Sequence, residues 1–163
     1  MAYHTQFGSL RQYQKGSLEA IRDDPRNYAF ANIFEVASKA ERWERVAIAR
    51  NLKYVVEVVR AEGTSPWYAC AHDEAALVMD GEVAIRLVKP DIMIVSPEHE
   101  GATLLEGDPR GRAMGQIKSR RGHMALLPKG SAYQFNSEQP AVILIQTIAG
   151  DLTVERWAEI CQK

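Results

Sequence analysis

The stretch ALVMDGEVAIRLV (residues 76–88) decides the fold class, because two short apolar runs flank an Asp80-Gly81 pair. Asp-Gly between runs of this kind is a strong hairpin signal. Similar apolar runs recur in HMALLPKGSAYQF (residues 123–135) and AVILIQTIA (residues 141–149). Several short strands at this spacing predict a mainly β protein, an antiparallel sandwich or barrel that leaves few strand edges exposed. Because AVILIQTIA is apolar at both alternating sets of positions, we expect that strand to be buried on two sides, either within the domain or against a partner chain.

The segments outside this region predict helices and one further strand. SLRQYQKGSLEAIR (residues 9–22) and DLTVERWAEICQK (residues 151–163) place apolar residues at helical spacing, the second behind Asp151 or Thr153 as a possible N-cap. YVVEVVR (residues 54–60) is rich in β-branched residues and favours a strand that ends at the following Glu-Gly pair.

These predicted elements divide the chain into two parts. We expect a helical N-terminal extension over residues 1–32. Residues 33–163 would form the barrel and its C-terminal helix.

Composition excludes several classes of protein. A chain of 163 residues fits one domain with a real core. Twenty basic and 21 acidic residues give a net charge of -1, so no whole-chain field favours nucleic acid or an anionic membrane. The longest apolar run, residues 141–145, is far shorter than the ~20 residues that span a bilayer, and we expect a cytoplasmic protein with no membrane partner. Cys70 and Cys161 form no CxxC pair, as is usual in a reducing compartment.

The segment DPRGRAMGQIKSRR (residues 108–121) carries five basic residues against one acid. It has no aromatic residue on which a base could stack, so a nucleic-acid site is disfavoured. We interpret it as a solvated loop or the charged rim of a protein interface.

The stretch GHMALLPKGSAYQFN (residues 122–136) matches the spacing of a known family motif. Gly122, Pro128 and Gly130 have the spacing of the second conserved motif of the cupins, G-x5-P-x-G-x2-H-x3-N, and Tyr133 stands where that family places a metal-ligating histidine. The chain therefore resembles the cupins. This resemblance implies a cupin-type antiparallel β-barrel (double-stranded β-helix or jelly roll) with short N- and C-terminal helices.

The first cupin motif, G-x5-H-x-H-x3,4-E-x6-G, aligns less completely. Glu74 and Gly81 have the correct separation, and counting back places Cys70 and Tyr68 at the two histidine positions. Of the four ligand positions of the family, Tyr68, Cys70, Glu74 and Tyr133, only the glutamate keeps a typical ligand. Iron or manganese in such a barrel needs neutral imidazoles together with a carboxylate. We therefore predict no metal and no catalytic residue in this chain.

Two other interpretations of these residues stay open. Tyr68 and Tyr133 as phenolates and Cys70 as a thiolate could hold a ferric ion, which would make the chain a stand-alone cupin enzyme with a non-standard site. His72 and Glu74 would share a face of a strand and could form a displaced metal pair, although a hydrogen-bonded histidine is the more common case. The chain could also be a cupin that binds a small ligand without any metal.

Residues 63–91 (GTSPWYACAHDEAALVMDGEVAIRLVKPD) and 122–135 resemble the small (alpha) subunit of two-subunit Fe(II)-dependent hydroquinone 1,2-dioxygenases, and the resemblance covers most of the chain from about Phe34. In that family a larger cupin-fold subunit holds Fe(II), and the complex, expected to be a heterotetramer, opens a para-diphenol with O2 to a hydroxymuconic semialdehyde. The resemblance implies that this chain has no cofactor of its own, stabilises the larger subunit and helps to wall its active site.

Trp67 is the residue that we expect to reach the shared substrate pocket. It follows Pro66 at the start of the strand that carries the first motif. An aromatic plane at that place can stack on a hydroquinone-type substrate. The alternative is that the ring is core or interface packing.

Overall fold

In the computed structural model, which describes Arg22 and residues 31–160, nearly every element is a strand. The predicted helix over residues 9–22 therefore lies outside the described residues, apart from Arg22. The elements are α1 (Ile33–Lys39), β1 (Arg45–Asn51), β2 (Tyr54–Cys70), β3 (Glu74–Asp80), β4 (Glu82–Pro90), β5 (Ala102–Leu104), β6 (Gly111–Arg120), β7 (Met124–Leu127), β8 (Ala132–Ile148), β9 (Thr153–Val154) and α2 (Trp157–Ile160).

These strands form one sheet in the order β6-β4-β8-β2-β1-β9. β3 lies between β7 and β8, while β5 pairs with β2. All pairings between named strands are antiparallel except that of β1 with β9. The predicted mainly β, antiparallel architecture is confirmed.

Two 17-residue strands, β2 and β8, form the spine of the sheet and pair along most of their length. Their β-branched and aromatic residues favour this extended conformation. The predicted strand end at Glu62-Gly63 is wrong, because β2 continues through a register shift at that point. Gly63 has a φ of 76°, which a glycine adopts without steric cost, so the turn signal marks a bulge within one strand.

The predicted Asp80-Gly81 hairpin is also wrong. β3 and β4 do not pair with each other: β3 lies opposite residues 142–146 of β8 and β4 lies opposite residues 132–136 of the same strand. Gly81 has a φ of 80°, and a Cβ added there would lie 2.7 Å from the Cβ of Ala141. Asp-Gly therefore bends the chain at a corner of the barrel while it stays beside one long neighbour.

The apolar part of β8 is buried on one face and partly buried on the other, so burial on two sides is confirmed only in part. Ile143 and Ile145 belong to the main core inside the barrel. Val142 and Leu144 point to the opposite face and pack on a second cluster that includes Val36 of α1. Helix α1 begins after Asn32, whose side chain accepts hydrogen bonds from the first backbone N–H groups of the helix.

The C-terminal helix begins later than predicted. Thr153 and Val154 form β9, which pairs in parallel with Arg45 and Val46 of β1, and α2 begins at Trp157. Thr153 does not cap a helix, because its hydroxyl donates to a buried carboxylate in the barrel. Cys161 lies outside the described residues.

The basic segment of residues 108–121 is not the solvated loop of one sequence interpretation, and the other interpretation, the charged rim of a protein interface, stays a prediction. Most of it forms β6, an edge strand that pairs with β4. Its charges face solvent, and Arg120 forms an exposed ion pair with Glu82. Charged side chains of this kind protect a sheet edge from pairing with other chains.

Among the described residues no helix has the length and apolar character needed to cross a bilayer.

Candidate functional site

The four cupin ligand positions meet inside the barrel. Tyr68 and Cys70 lie at the end of β2, Glu74 begins β3, and Tyr133 lies at the start of β8. Tyr68 and Tyr133 are direct partners across the β2-β8 pair, which brings the two motifs together. All four side chains are buried, with exposed fractions of 5% or less.

Tyr133 is the central contact of this group. Its hydroxyl donates a hydrogen bond to Oε2 of Glu74. The Sγ of Cys70 lies 4.0 Å from the same hydroxyl, and the Tyr68 ring centroid lies 5.7 Å from that of Tyr133. Phe135 packs edge-on against Tyr133 and closes the apolar side of the group.

Two residues that the sequence analysis missed complete the site. Arg45, the first residue of β1, extends its guanidinium into the ligand positions and is only 3% exposed. Its Nε lies 2.5 Å from Oε2 of Glu57, and its Nη2 lies 2.6 Å from Oε1 of Glu74. Its Nη1 lies 3.2 Å from the hydroxyl of Tyr133. The hydroxyl of Thr153 donates to Oε1 of Glu57 at 2.6 Å, so every oxygen of both buried carboxylates has a donor.

Arg45 and Glu74 keep each other charged. Burial is the largest influence on Glu74 and opposes its ionisation, but the charge of Arg45 and hydrogen bonds from neighbouring side chains outweigh it, so the pKa of Glu74 lies below its ordinary value of 4.5. Burial also opposes the cation of Arg45, but the negative charges of Glu74 and Glu57 raise its pKa well above the ordinary value. The centre of the barrel therefore holds two carboxylates around one guanidinium.

The other three ligand positions are neutral. Burial raises the pKa of Tyr68 to about 12, and burial followed by the charge of Glu74 raises the pKa of Cys70. Burial is also the main reason why the pKa of Tyr133 lies well above its ordinary value. None of these three positions carries an imidazole, the neutral ligand that iron needs beside a carboxylate in such a barrel. With both oxygens of Glu74 already engaged, this donor set does not fit an iron ion.

His72 lies beside this group at the wall of a cavity of about 360 Å³ that Asp73, Glu74 and Thr147 also line. It belongs to the bend before β3 rather than to a strand. Its Nε2 accepts the backbone N–H of Ile148 at 3.3 Å and lies 2.9 Å from the hydroxyl of Thr147. Ligand atoms of Cys70, His72 and Glu74 come within 4.8 Å of one another, but the imidazole nitrogen nearest to β8 is already hydrogen-bonded.

Trp67 lies away from the ligand positions, on the strand segment that precedes them. It is 5% exposed, its Nε1 donates to Asp108 at 2.8 Å, and the guanidinium of Arg86 lies 5.5 Å from its ring centroid. The chain itself therefore fixes the orientation of this ring. That Trp67 also contacts a substrate stays a prediction.

The lowered pKa of Glu74 predicts a contribution to stability that acid removes. The unfolded chain binds a proton at this carboxyl near pH 4.5, before the folded chain does, so the contribution is present above that pH and is lost as the pH falls through the folded pKa. We expect the difference in free energy of unfolding between the wild type and Glu74→Gln to narrow from about pH 7 to about pH 3, as measured by urea unfolding. Glu82→Gln, in an exposed ion pair, is the matched control, and a difference for Glu74→Gln that grows on acidification would contradict the prediction.

Two solved structures match the chain along its whole length. Hydroquinone 1,2-dioxygenase from Sphingomonas sp. TTNP3, solved with 4-hydroxybenzoate bound, is 54% identical, with 99% of both chains covered and a TM-score of 0.85. Hydroquinone 1,2-dioxygenase PnpCD, solved with Cd²⁺ and 4-hydroxybenzonitrile, is 51% identical, with 99% of this chain and 98% of that chain covered and a TM-score of 0.84.

More distant structures share the fold alone. A longer chain in a structure of PnpCD in complex with Fe³⁺ matches at 14% identity, with 71% of this chain and 31% of that chain covered and a TM-score of 0.55. A cupin-2 domain protein from Shewanella frigidimarina NCIMB 400 matches at 18% identity, with 77% of this chain and all of that chain covered and a TM-score of 0.53. The predicted cupin-type barrel is thereby confirmed.

No protein-family model matches the chain, and no curated protein matches it. The assignment follows from the two full-length relatives, which are more than half identical to this chain. The chain belongs to the hydroquinone 1,2-dioxygenases, a group of ring-cleaving oxygenases.

Proposed function

We propose that this chain is the small, non-metal-binding subunit of a heteromeric hydroquinone 1,2-dioxygenase. A larger cupin chain supplies Fe(II), which activates dioxygen in the conversion of a para-diphenol to a hydroxymuconic semialdehyde. This chain stabilises the larger subunit and forms part of the wall of its active site. The two kinds of subunit assemble as a heterotetramer.

The chemistry of the ligand positions carries the proposal. Tyr68, Cys70 and Tyr133 stand where the cupins place imidazoles, and Glu74 is held by the guanidinium of Arg45 at 2.6 Å. An oxygen-activating iron needs several basic ligands and open coordination positions. A hydroquinone dioxygenase chain with this interior needs a second chain to provide the iron.

The relatives support a second chain. The name PnpCD fits an enzyme of two kinds of subunit, and the PnpCD structure with Fe³⁺ includes a chain much longer than this one that shares its fold. We take that longer chain as the model for the iron-bearing partner.

An exposed apolar surface beside the cavity of His72 supports contact with such a partner. Met124 and Leu126 point outward from β7 with 67% and 58% of their area exposed, and Tyr54 on the cavity wall is 57% exposed. Apolar and aromatic side chains of this kind are enriched at the centre of protein interfaces.

The test is to purify this chain alone, a longer cupin chain alone, and the two after co-expression. We expect this chain alone to contain much less than one iron per chain and to consume no oxygen with hydroquinone. The co-expressed pair should copurify, contain about one iron per longer chain and open the ring.

Each alternative gives a different result in the same experiment. Stoichiometric iron and ring opening by this chain alone would overturn the proposal in favour of a stand-alone enzyme. Failure to copurify with the longer chain, together with saturable binding of a small molecule in the cavity beside His72, would instead favour a ligand-binding cupin.

A further inference from the structure

The guanidinium of Arg45 lies among the side chains that a cupin uses to hold its metal. It contacts two of the four ligand positions, Glu74 at 2.6 Å and Tyr133 at 3.2 Å. It also forms an ion pair at 2.5 Å with Glu57. All four side chains are at most 3% exposed, so the contacts form a closed, buried group rather than a surface ion pair.

The charges of this group match the replacement of a metal by a side chain. Two carboxylates, those of Glu57 and Glu74, face the one guanidinium of Arg45 at 2.5 and 2.6 Å. Removal of Arg45 would leave a charge of minus two in a buried space. That charge equals what one divalent cation neutralises, and buried carboxylates without a cation are strongly unfavourable.

Donors suited to a soft divalent cation already lie beside the guanidinium. Ligand atoms of Cys70, His72 and Glu74 lie within 4.8 Å of one another. A thiol, an imidazole and a carboxylate are typical ligands of Zn²⁺ and of the softer Cd²⁺, and a bound metal displaces the proton of a thiol. His72 and Glu74 also line the cavity of about 360 Å³ beside this group.

We infer that Arg45 is a built-in cation that takes the place of the metal in this barrel, and that its removal converts the group into a binding site for a soft divalent cation. The ligands would be Glu74, Cys70 and His72. The inference rests on the proposed function, because it explains how one subunit of the enzyme is kept free of metal while sharing the fold of the other.

The test uses the full chain with Arg45→Ala and CdCl2 as the probe. With Cd²⁺ at ~100 times its Kd, we expect the Tm of Arg45→Ala to rise by about 5–10 °C, and a thiolate-to-cadmium charge-transfer band to develop in the ultraviolet. The wild type should show neither change. Mg²⁺, which prefers oxygen ligands and keeps its waters, should produce a much smaller rise in Tm.

Two further variants separate the proposed ligands from non-specific binding. Arg45→Ala combined with Cys70→Ser and Glu74→Gln should lose both the rise in Tm and the band. Arg45→Lys keeps a cation in the space and should not bind Cd²⁺. If Arg45→Ala does not fold alone, its refolding yield from urea with and without Cd²⁺ is the measurement, and a yield that Cd²⁺ does not increase overturns the inference.

The outcomes distinguish this inference from the proposed function. A wild-type chain that binds Cd²⁺ or iron stoichiometrically would overturn both. A wild-type chain free of metal and inactive alone, together with an Arg45→Ala variant that binds no Cd²⁺, would overturn only the role of Arg45 as a substitute for the metal.

Discussion

Arg45→Met is expected to lower the free energy of unfolding by about 3–5 kcal/mol at neutral pH, because it leaves two buried carboxylates without their cation. Met fills much of the space of the arginine stem, so the loss reports mainly charge rather than volume. Glu57 and Glu74 are each 1% exposed and cannot regain the lost interaction from water. Urea unfolding of the wild type and the variant gives the difference directly.

The balance of charge also predicts how much stability each related variant loses relative to Arg45→Met. Glu57→Gln leaves Arg45 paired with Glu74, a neutral group, and should cost only about 1–3 kcal/mol. Combining Arg45→Met with Glu57→Gln and Glu74→Gln removes all three charges and should recover much of the loss, as apolar replacement of buried ion pairs often does.

An exposed arginine provides the matched control for this series. Arg120 pairs with Glu82 at 2.7 Å, but their side chains are 68% and 53% exposed. Arg120→Met should therefore change stability by only about 0–1 kcal/mol. The account of the barrel centre would be wrong if Arg45→Met cost no more than Arg120→Met, or less than Glu57→Gln.

The cupin ligand positions could be located from the sequence because their spacing is local. Tyr68, Cys70 and Glu74 follow from one motif and Tyr133 from the other, and the Pro128-Gly130 turn fixes where β8 begins. The structure brings all four into one buried group. Motif spacing is conserved in the fold because each interval is the length of one turn or one strand segment.

Arg45 and Glu57 could not be located in the same way, because no motif spans them. Glu57 interrupts the run YVVEVVR at a position that alternation places on the same face as Val55 and Val59. That is a signal for a buried acid, but it does not identify the partner. Arg45 begins a strand, where an arginine is more often solvated, and its contact with Glu74 joins positions 29 residues apart.

The errors in strand pairing have a related cause. Asp80-Gly81 has the local features of a hairpin, but both flanking strands pair with β8, whose paired residues lie at least 44 positions farther along the chain (Val88 with Ala132). The local sequence determines that the chain bends at Asp80-Gly81, but long-range contacts determine which strand β3 and β4 pair with. β6 was mistaken for a loop because an edge strand with charges facing solvent carries little apolar alternation.

Trp67→Ala is the second change with a large expected effect, and it affects both stability and catalysis. The ring is 95% buried, since its exposed fraction is 5%, and it is held by Asp108 and Arg86. Its loss should cost about 3–5 kcal/mol of stability. If the ring also lines the substrate pocket shared with the partner chain, the KM for hydroquinone of the assembled enzyme should rise about tenfold, which corresponds to ~1.4 kcal/mol of lost stacking.

Trp43→Ala separates the structural role of an aromatic ring from contact with the substrate. The rings of Trp43 and Phe135 stack with their centroids 6.1 Å apart, and Trp43 packs against the main core from the segment before β1. We expect Trp43→Ala to lower Tm without changing KM. Trp67→Phe should keep KM near the wild-type value while losing the bond to Asp108, and Asp108→Ala should do the same, because both leave an aromatic plane in place. If Trp67→Ala lowers Tm but leaves the KM of the assembled enzyme unchanged, Trp67 is packing alone, and the wall of the pocket must be provided by other residues.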